Sequence, residues 1–575
     1  MIYNKLRIFC LSALLVVGQM LFLQSCRGGS SETAGSPEKM QEGSLQLTDS
    51  LQEFETERFS FDVLQSLLAP NVYYLGECHS LSADAPLHKS FIVKFNRIDV
   101  NTFESIMYDI TDTLSAVVSP VSMEGSSHLR KVSVNMDGQE FKVKKIMLAK
   151  TEDGVKGRFT IQKQSYEFFL KLYKYPVYKE FGNRYLKETY PCKIIRNVKY
   201  GQASGYWTTN VPQGMNYFEI FAQGVSSTMK KRDLNLLCDI YLPEDDDLAS
   251  RPLILFIHGG AFYIGDKADN PIVLWCKHFA ACGYVAVSIN YRMGFKPSKT
   301  SIERCGYRAV QDAHAAVRFL LSKKEEYRIN PDYLFVAGSS AGAITSLNLA
   351  FMRNSTRPAS SRKNAGVPDL GNIESSGNSL KQDFHIRAVA NMWGALNSLD
   401  MLAASKTSVI SFHGDADKVV PYDSGIPFSD MEKKVQVNKI FFDKMYGSAS
   451  IHRKAQQLGY RSELHTLKGL GHAPHVDEAN QPTSQFYFIQ EHITDFFFQE
   501  FIPKETGVRR DSANPRRFRL DGNGIKEIRW KVEGGFILGA EGNSVRVVFV
   551  EGISHSLKAS AVWENGAAGV FHTDL

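Results

Sequence analysis

The sequence predicts an α/β fold, in which a doubly wound, mostly parallel sheet has helices on both faces. The first observation is a set of apolar runs without alternation, such as residues 253–257 and 284–289, which are typical of strands buried on both sides. The second is that, from about residue 216, these runs alternate with amphipathic segments such as residues 309–323. Alternating strands and helices are the pattern of β-α-β units in a parallel sheet.

Length and charge limit the classes of function. The chain has 575 residues, enough for several domains, and a formal net charge of +6. This charge is small for the length, and the Lys and Arg residues are scattered along the chain. We therefore expect no nucleic-acid partner.

The first 26 residues are predicted to be a signal peptide. Lys5 and Arg7 precede an apolar run over residues 8–23, which ends in Leu-Gln-Ser-Cys26. This ending resembles the lipobox of bacterial lipoproteins, which implies lipidation of Cys26 and a lipid-anchored protein of the cell envelope, on the periplasmic side or the cell surface. An uncleaved anchor helix is the alternative. Residues 27–50 contain almost no large apolar side chains and are predicted to be a flexible tether.

Residues 51–200 are predicted to form a β-rich accessory domain. The alternating segment 132–143 surrounds Asp137-Gly138, which is a strong hairpin pattern. The aromatic residues between 166 and 175 favour a stripe facing the core over a carbohydrate platform.

One turn supplies the candidate nucleophile. An apolar strand over residues 333–337 is followed by Gly-Ser-Ser-Ala-Gly at 338–342 and then by a helical segment. Such a strand, turn and helix hold a serine at the tip, where a base and backbone donors can reach its hydroxyl. Ser340 is therefore the candidate, and a glycine-rich turn with two incidental serines is the alternative.

Three further motifs follow predicted strands. The sequence His-Gly-Gly-Ala-Phe occupies 258–262, His-Gly-Asp-Ala-Asp-Lys-Val-Val-Pro occupies 413–421, and Gly-Leu-Gly-His occupies 469–472. Glycines at 259–260 allow backbone N–H groups to point beyond the strand end. An acid and then a histidine therefore follow the serine at successive strand ends.

These motifs resemble the α/β-hydrolase superfamily, and within it the carboxylesterase group with an HGG oxyanion motif, which includes lipase-like, feruloyl and acetyl esterases. The resemblance covers about residues 216–503, and HGGAF departs from the commoner HGGGF by one alanine. It implies that Ser340 is the nucleophile, Asp417 the acid and His472 the base. It also implies that the backbone N–H groups of Gly260, Ala261 and Ala341 form the oxyanion hole.

Other residues compete for these roles. Asp415 could replace Asp417, although the spacing to Val420-Pro421 favours Asp417. His475 lacks the preceding Gly-x-Gly turn and is expected to be a surface histidine or a substrate contact. His258 is expected to be a structural hydrogen-bonding residue under the oxyanion loop.

The pocket, the polar insertion and the C-terminal segment complete the prediction. Phe262 and Trp393 are expected to line the pocket, and the polar stretch 354–382 is expected at the edge of the sheet opposite the site. Residues 504–517 are predicted to be a linker. Residues 518–575 alternate as in a small β-sandwich and weakly resemble PKD-like modules.

The resemblance implies a serine carboxylesterase that acts on small or glycan esters through an acyl-enzyme, with no cofactor or metal. A serine peptidase of the prolyl-oligopeptidase kind shares the fold and the order of the triad, but the sequence shows no propeller repeats. A binding lipoprotein with a degenerate fold is the third possibility, and it is disfavoured because all three triad positions are occupied.

Overall fold

A computed structural model describes residues 73–81, 88–98, 102–110, 115–124, 132–136, 139–150, 154–161, 164–182, 184–209, 231–363, 367–431 and 437–574. The predicted signal peptide, Cys26 and the tether lie outside the described residues. The chain divides into two compact units. One comprises residues 181–504 and 562–569, and the other comprises residues 1–180, 505–561 and 570–575. Among the described residues, no helix is both long and apolar enough to cross a membrane.

The unit that contains residues 1–180 begins with eight described strands. They are β1 (Tyr73–Ser80), β2 (His88–Ile98), β3 (Thr102–Asp109), β4 (Ser115–Glu124), β5 (Val132–Met136), β6 (Gln139–Lys150), β7 (Gly154–Ile161) and β8 (Gln164–Leu172). Neighbouring strands pair antiparallel, and β5 pairs with β6 so that Met136 lies opposite Gln139. The hairpin predicted from the alternating pattern is therefore confirmed. Tyr166 and Phe168 on β8 are buried, as expected of a stripe facing the core, but Tyr175 at the end of the aromatic run is exposed.

The unit that contains residues 181–504 is built on an eight-stranded sheet. Its strands are β9 (Cys192–Gly205), β10 (Arg232–Pro243), β11 (Arg251–Ile257), β12 (Val285–Ile289), β13 (Ile329–Ser339), β14 (Ala388–Met392), β16 (Ser408–Gly414) and β19 (Ser462–Leu467). The order is β19-β16-β14-β13-β11-β12-β10-β9. The six strands from β19 to β12 are parallel, and β10 and β9 are antiparallel to their neighbours. The predicted mostly parallel sheet is confirmed.

The helices of this unit cover both faces of the sheet. They are α1 (Asn270–Ala281), α2 (Lys299–Ser322), α3 (Lys324–Tyr327), α4 (Ala341–Phe351), α5 (Val437–Phe441), α6 (Ser448–Gln457) and α7 (Ser484–Phe498). Alternate residues of β11 enter two different cores: Leu253 and Leu255 pack in the core that contains residues of α2 and α4, and Phe256 packs in the core that contains residues of α1 and α7. Burial on both faces explains why every residue of β11, β12, β14 and β16 is buried.

A small three-stranded sheet adjoins the helices. It contains β15 (Ala395–Leu396), β17 (Ser424–Gly425) and β18 (Met445–Gly447), and β18 is the central strand. The described residues of the polar stretch 354–382 include three short 3₁₀ turns, and the Gly377 carbonyl accepts a hydrogen bond from Gln202 N at 2.7 Å.

The C-terminal strands join the N-terminal ones instead of forming a separate module. They are β20 (Gly507–Arg510), β21 (Arg517–Asp521), β22 (Ile525–Glu533), β23 (Gly535–Glu541), β24 (Ser544–Val550), β25 (Ser556–Trp563) and β26 (Ala568–Asp574). β24 pairs in parallel with β4, so that one sheet runs from β20 to β5. The segment predicted to be a linker contains β20. This arrangement differs from an independent sandwich, because the edge of β24 is satisfied by a strand more than four hundred residues earlier in the chain.

Candidate active site

Ser340 lies at the tip of a strained turn between β13 and α4. Its backbone has φ 54° and ψ −118°, in the left-handed range that costs energy for a residue with a side chain. The turn requires small neighbours: a Cβ atom on Gly342 would lie 2.0 Å from the carbonyl oxygen of Ile257. A Cβ atom on Gly338 would lie 2.4 Å from the Gly342 backbone. The close approach predicted from these two glycines is confirmed.

The structure brings Ser340, His472 and Asp417 together, although 132 residues separate the first two. His472 Nε2 lies 2.9 Å from Ser340 Oγ, and His472 Nδ1 lies 2.7 Å from Asp417 Oδ2. The three residues follow β13, β19 and β16, so the carboxyl ends of three parallel strands hold them. With Nδ1–H donating to the carboxylate, Nε2 is free to accept the serine proton.

The Asp417 carboxylate is buried and accepts several hydrogen bonds. Oδ1 accepts the N–H groups of Val419 at 2.7 Å and Val420 at 3.0 Å, and Oδ2 lies 3.2 Å from His413 Nε2. Burial raises the pKa of this carboxyl, but the hydrogen bonds from His413 and His472 outweigh burial and hold the pKa well below its ordinary value. The Asp417 carboxylate is therefore negatively charged when the His472 imidazole becomes protonated.

The competing Asp415 has a different position. It is exposed, and its Oδ1 accepts the N–H of Gly469 at 2.6 Å in the loop that leads to His472. Asp415 therefore supports the histidine loop and does not contact the imidazole in the way that Asp417 does.

The oxyanion loop follows β11. Gly260, Ala261 and Phe262 all have positive φ, and the Gly260 carbonyl accepts the N–H groups of Tyr263 and Ile264 in a tight turn. Ala261 and Ala341 line a cavity beside Ser340. Ala341 is the first residue of α4, so its N–H has no partner within the helix. Gly260 is not among the residues that line the cavity, and its described role is to close the turn.

His258 supports this loop from below. Its Nδ1 lies 2.8 Å from the Gly259 carbonyl oxygen, and its ring stacks on Tyr291 with 4.5 Å between the ring centroids. Burial lowers its pKa, although nearby Asp269 opposes the shift. The expected structural role fits these contacts.

A cavity of about 370 Å³ opens beside Ser340. Its lining is almost entirely apolar and includes Phe262, as predicted. The aromatic and aliphatic side chains of the lining are Phe262, Tyr263, Phe295, Ile302, Tyr307, Val310, Ile344, Met352, Pro358, Val419, Val420, Pro427, Phe428, Phe441, Phe442 and Met445. A pocket of this size and polarity suits an apolar group of a small-molecule substrate.

The prediction that Trp393 lines the pocket is wrong, because Trp393 is not among the residues that line this cavity. It is fully buried, with its ring centroid 6.3 Å from that of His472 and 4.8 Å from that of His475. The residue has φ 47°, and its side chain packs in the core of the sheet behind the base. Trp393 thus belongs to the support of His472 and not to the pocket.

His475 is also not at the surface. It is buried and stacks on Trp275 with 5.5 Å between the ring centroids, and burial lowers its pKa to about 4. A neutral, stacked histidine in this position packs behind the base and is not a substrate contact.

Sequence reasoning missed most of one side of the cavity, which we name the aromatic wall and define as residues 419–431 and 437–445. It contributes Val419, Val420, Pro427, Phe428, Phe441, Phe442, Asp443 and Met445 to the lining. The rings of Phe428 and Phe442 contact each other, with centroids 5.1 Å apart. An ion pair between Lys299 and Asp443 joins α2 to this wall. The sequence feature that could have indicated the aromatic wall is its cluster of phenylalanines in a segment with little regular structure.

The polar stretch 354–382 also reaches the site at one point. Pro358 lines the cavity, and Arg304 of α2 donates hydrogen bonds to the carbonyl oxygens of Ser360 and Pro368, each at 2.7 Å. The expectation that this whole stretch lies opposite the site is therefore wrong for its first residues, because α2 draws them against the cavity. No group of three or more metal-ligating side chains occurs in the described part of the chain.

The sheet, the strained serine turn and the order serine, aspartate, histidine define an α/β-hydrolase. Residues 238–411 match the model of the BD-FAE family, an α/β-hydrolase esterase family. The chain is 26% identical over 227 residues to the probable carboxylic ester hydrolase LipM of Mycobacterium tuberculosis, covering 36% of this chain and 51% of that one. It is 30% identical over 94 residues to gut esterase 1 of Caenorhabditis elegans, covering 16% of this chain and 17% of that one.

Among solved structures, esterase 2 of Thermogutta terrifontis, phosphorylated by paraoxon, matches with a TM-score of 0.32 and 20% identity. That match covers 47% of this chain and 90% of the other. The chain spans about half the length of LipM and a smaller share of gut esterase 1.

Proposed function

We propose that the protein is a serine carboxylesterase that hydrolyses esters through an acyl-enzyme intermediate. The observation that carries this proposal is the arrangement of Ser340, His472 and Asp417 at the mouth of an apolar cavity, with 2.9 Å and 2.7 Å between successive partners. The match to an esterase family model and the sequence similarity to carboxylic ester hydrolases support the same activity.

The proposed reaction has two halves. Ser340 Oγ attacks the ester carbonyl carbon while its proton passes to His472 Nε2, and the carbonyl oxygen becomes an oxyanion beside the N–H groups of Ala261 and Ala341. Collapse of this intermediate breaks the bond to the alcohol, which takes the proton from His472. Water then repeats the sequence on the acyl-enzyme and releases the acid. Asp417 orients the imidazole and stabilises its positive charge.

The apolar cavity holds the acyl group in this proposal. Phe262, Phe428 and Phe442 contribute aromatic surface to its lining, and charged side chains such as Lys299 and Glu303 are a minority there. Burying apolar surface contributes roughly 0.8 kcal/mol for each methylene group, so a cavity of this volume favours acyl groups much larger than acetyl. The alcohol part, a small alcohol or a glycan hydroxyl, remains outside the cavity.

We also propose that Cys26 carries lipid and holds the protein in the cell envelope, and that the unit of residues 181–504 and 562–569 is the catalytic domain. The predicted bounds of 216–503 leave out β9, which is a strand of the sheet of this unit. The Leu-x-Ser-Cys ending of the apolar N-terminal run supports the anchor. Growth of the producing cells with a labelled fatty acid should label the protein, and Cys26→Ala should lose this label. A wild-type protein that stays in the membrane without the label would instead support an uncleaved anchor helix.

The test of function compares ester and amide substrates with the purified protein. p-Nitrophenyl esters from acetate to octanoate should be hydrolysed, and kcat/KM should rise with chain length until the cavity is filled. An aminoacyl-proline amide should be turned over far more slowly. Cleavage of the amide in preference to every ester would favour the peptidase, and no turnover of either substrate would favour a binding protein.

A further inference from the structure

A second histidine, His413, contacts the same oxygen of the proposed catalytic acid, Asp417 Oδ2, as the base does. We propose that His413 is a positioning residue: it donates a hydrogen bond that fixes the orientation of the Asp417 carboxylate toward His472, and as a neutral donor it does not neutralise the carboxylate. This inference rests on the proposed function, because it assigns a role within the same site.

His413 is fully buried near the end of β16. Its Nε2 lies 3.2 Å from Asp417 Oδ2 and 3.2 Å from the carbonyl oxygen of Val420. Its Nδ1 lies 2.8 Å from Ser448 Oγ, at the start of α6. Both ring nitrogens therefore have partners, and the ring joins the acid to the helix that follows the aromatic wall.

The partners of His413 determine which nitrogen carries the proton. Asn391 Oδ1 accepts the N–H of Gly394 at 2.9 Å, so its Nδ2 is the end that donates to Ser448 Oγ at 3.0 Å. Ser448 can then donate its own proton to His413 Nδ1, which accepts it when Nε2 carries the ring hydrogen. Nε2 faces two acceptors and carries the hydrogen. The network is satisfied by a neutral ring that donates to Asp417.

A neutral donor has a different effect from a cation in this place. A protonated His413 would form an ion pair with Asp417 and compete with His472 for its charge. The neutral ring restrains Oδ2 and leaves that charge to the imidazolium that forms on His472 during the reaction. In the described part of the chain, the titratable side chains in contact with His413 are Asp417 and Tyr422, whose ring centroid lies 5.7 Å away. The Tyr422 hydroxyl is paired with Thr466 Oγ1 at 2.6 Å.

The experiment compares His413→Phe, which removes the donor, with His413→Gln, whose side-chain amide can still donate. In His413→Phe, kcat for p-nitrophenyl butyrate should fall roughly 10- to 100-fold with little change in KM, because the acid and base lose their alignment. The acid limb of the kcat/KM profile should move to higher pH, because a carboxylate with one donor fewer binds the His472 proton more strongly. His413→Gln should recover much of kcat.

His278→Gln is the matched control. His278 also contacts a carboxylate, with its Nδ1 2.7 Å from Glu188 Oε1, and its Nε2 lies 3.1 Å from Thr494 Oγ1 on α7. This change should alter thermal stability without moving the pH profile. A His413→Phe protein with the kcat and pH profile of the wild type would overturn the proposal, and so would an effect no different from that of His278→Gln.

If His413→Phe does not fold, Ser448→Ala tests whether His413 positions the Asp417 carboxylate. This small truncation removes the proton given to Nδ1, and it should lower kcat several-fold and shift the acid limb; an unchanged profile would overturn the proposal. The rate at which paraoxon phosphorylates Ser340 separates this inference from the proposed function, because phosphorylation needs an activated serine but no ester turnover. Slower phosphorylation in the His413 and Ser448 variants supports the positioning role even if no ester is hydrolysed.

Discussion

The two sides of the active site are built from different kinds of structure. On one side, Ser340, Asp417 and His472 each follow a strand of the parallel part of the sheet, and their positions are set by the register of the sheet. On the other side, the aromatic wall contains a two-residue strand, one 3₁₀ turn and a five-residue helix. Strand ends can hold reacting atoms within tenths of an ångström, and loops adapt more readily to different substrates. We therefore expect changes on the first side to remove activity and changes on the second to alter preference.

The largest expected effect is that of Ser340→Ala. Because the change removes the attacking oxygen, kcat for p-nitrophenyl butyrate should fall by about 10⁴-fold or more without loss of the fold. The neighbouring Ser339→Ala is the matched control, since it removes a hydroxyl from the same turn, and it should retain most activity. A Ser340→Ala protein with more than a tenth of wild-type activity would show that another group is the nucleophile.

The two aspartates of the same loop offer a second matched pair. Asp417→Asn should lower kcat by roughly 10³- to 10⁴-fold, because an amide in place of the carboxylate favours the wrong tautomer of His472. Asp415→Asn changes the same chemical group two residues away, where the carboxylate accepts the Gly469 N–H described above, and should cost less than about tenfold. Equal losses in the two variants would contradict the assignment of the acid.

The strand side of the site could be predicted from the sequence and the wall could not. Continuous apolar runs that end in glycine and polar residues mark buried parallel strands, and such ends meet at one edge of the sheet. This reasoning finds Ser340 and places an acid and a histidine at neighbouring strand ends, and the resemblance to the carboxylesterase group then assigns Asp417 and His472. It fails for Trp393, because the position of a residue after a strand does not determine where a side chain with positive φ points.

Pairing over long sequence distances was the other source of error. The alternating C-terminal pattern predicts strands, and strands are present, but nothing in the local pattern indicates that β24 pairs with β4. Likewise, Pro358 lies against the cavity because Arg304 binds the carbonyl groups that follow it. Local periodicity contains no information about such partners.

On acidification, the protein should lose activity at a higher pH than that at which it unfolds. Between about pH 8 and pH 5, where histidine side chains ordinarily titrate, kcat/KM should fall because a protonated imidazole cannot accept the serine proton. The folded-state pKa of Asp417 is lower than that of an unfolded aspartate, so its contribution to stability is complete above about pH 4 and is lost only as the pH falls further. Activity should therefore disappear while circular dichroism still reports a folded protein. A rate constant that stays unchanged down to about pH 5 would exclude a histidine base.

The smallest expected effect concerns the aromatic wall. Phe428→Ala enlarges the cavity where Phe428 contacts Phe442, and it leaves the triad untouched. Longer acyl chains should then be accepted relatively better than short ones, with a change of roughly 3- to 30-fold in the ratio of kcat/KM for octanoate to butyrate. Burial of one to two further methylene groups, at roughly 0.8 kcal/mol each, gives a change of this size.

The matched control for this change is Tyr487→Ala, which removes an exposed aromatic ring that does not line the cavity and should leave the ratio unchanged. If Phe428→Ala instead lowered kcat for all chain lengths by the same factor, the wall would be positioning the triad. The division between a strand side that performs chemistry and a loop side that selects the acyl group would then be wrong. A change in KM and chain-length preference with a nearly constant kcat for the preferred ester is the result that this division requires, because only binding of the acyl group depends on the wall.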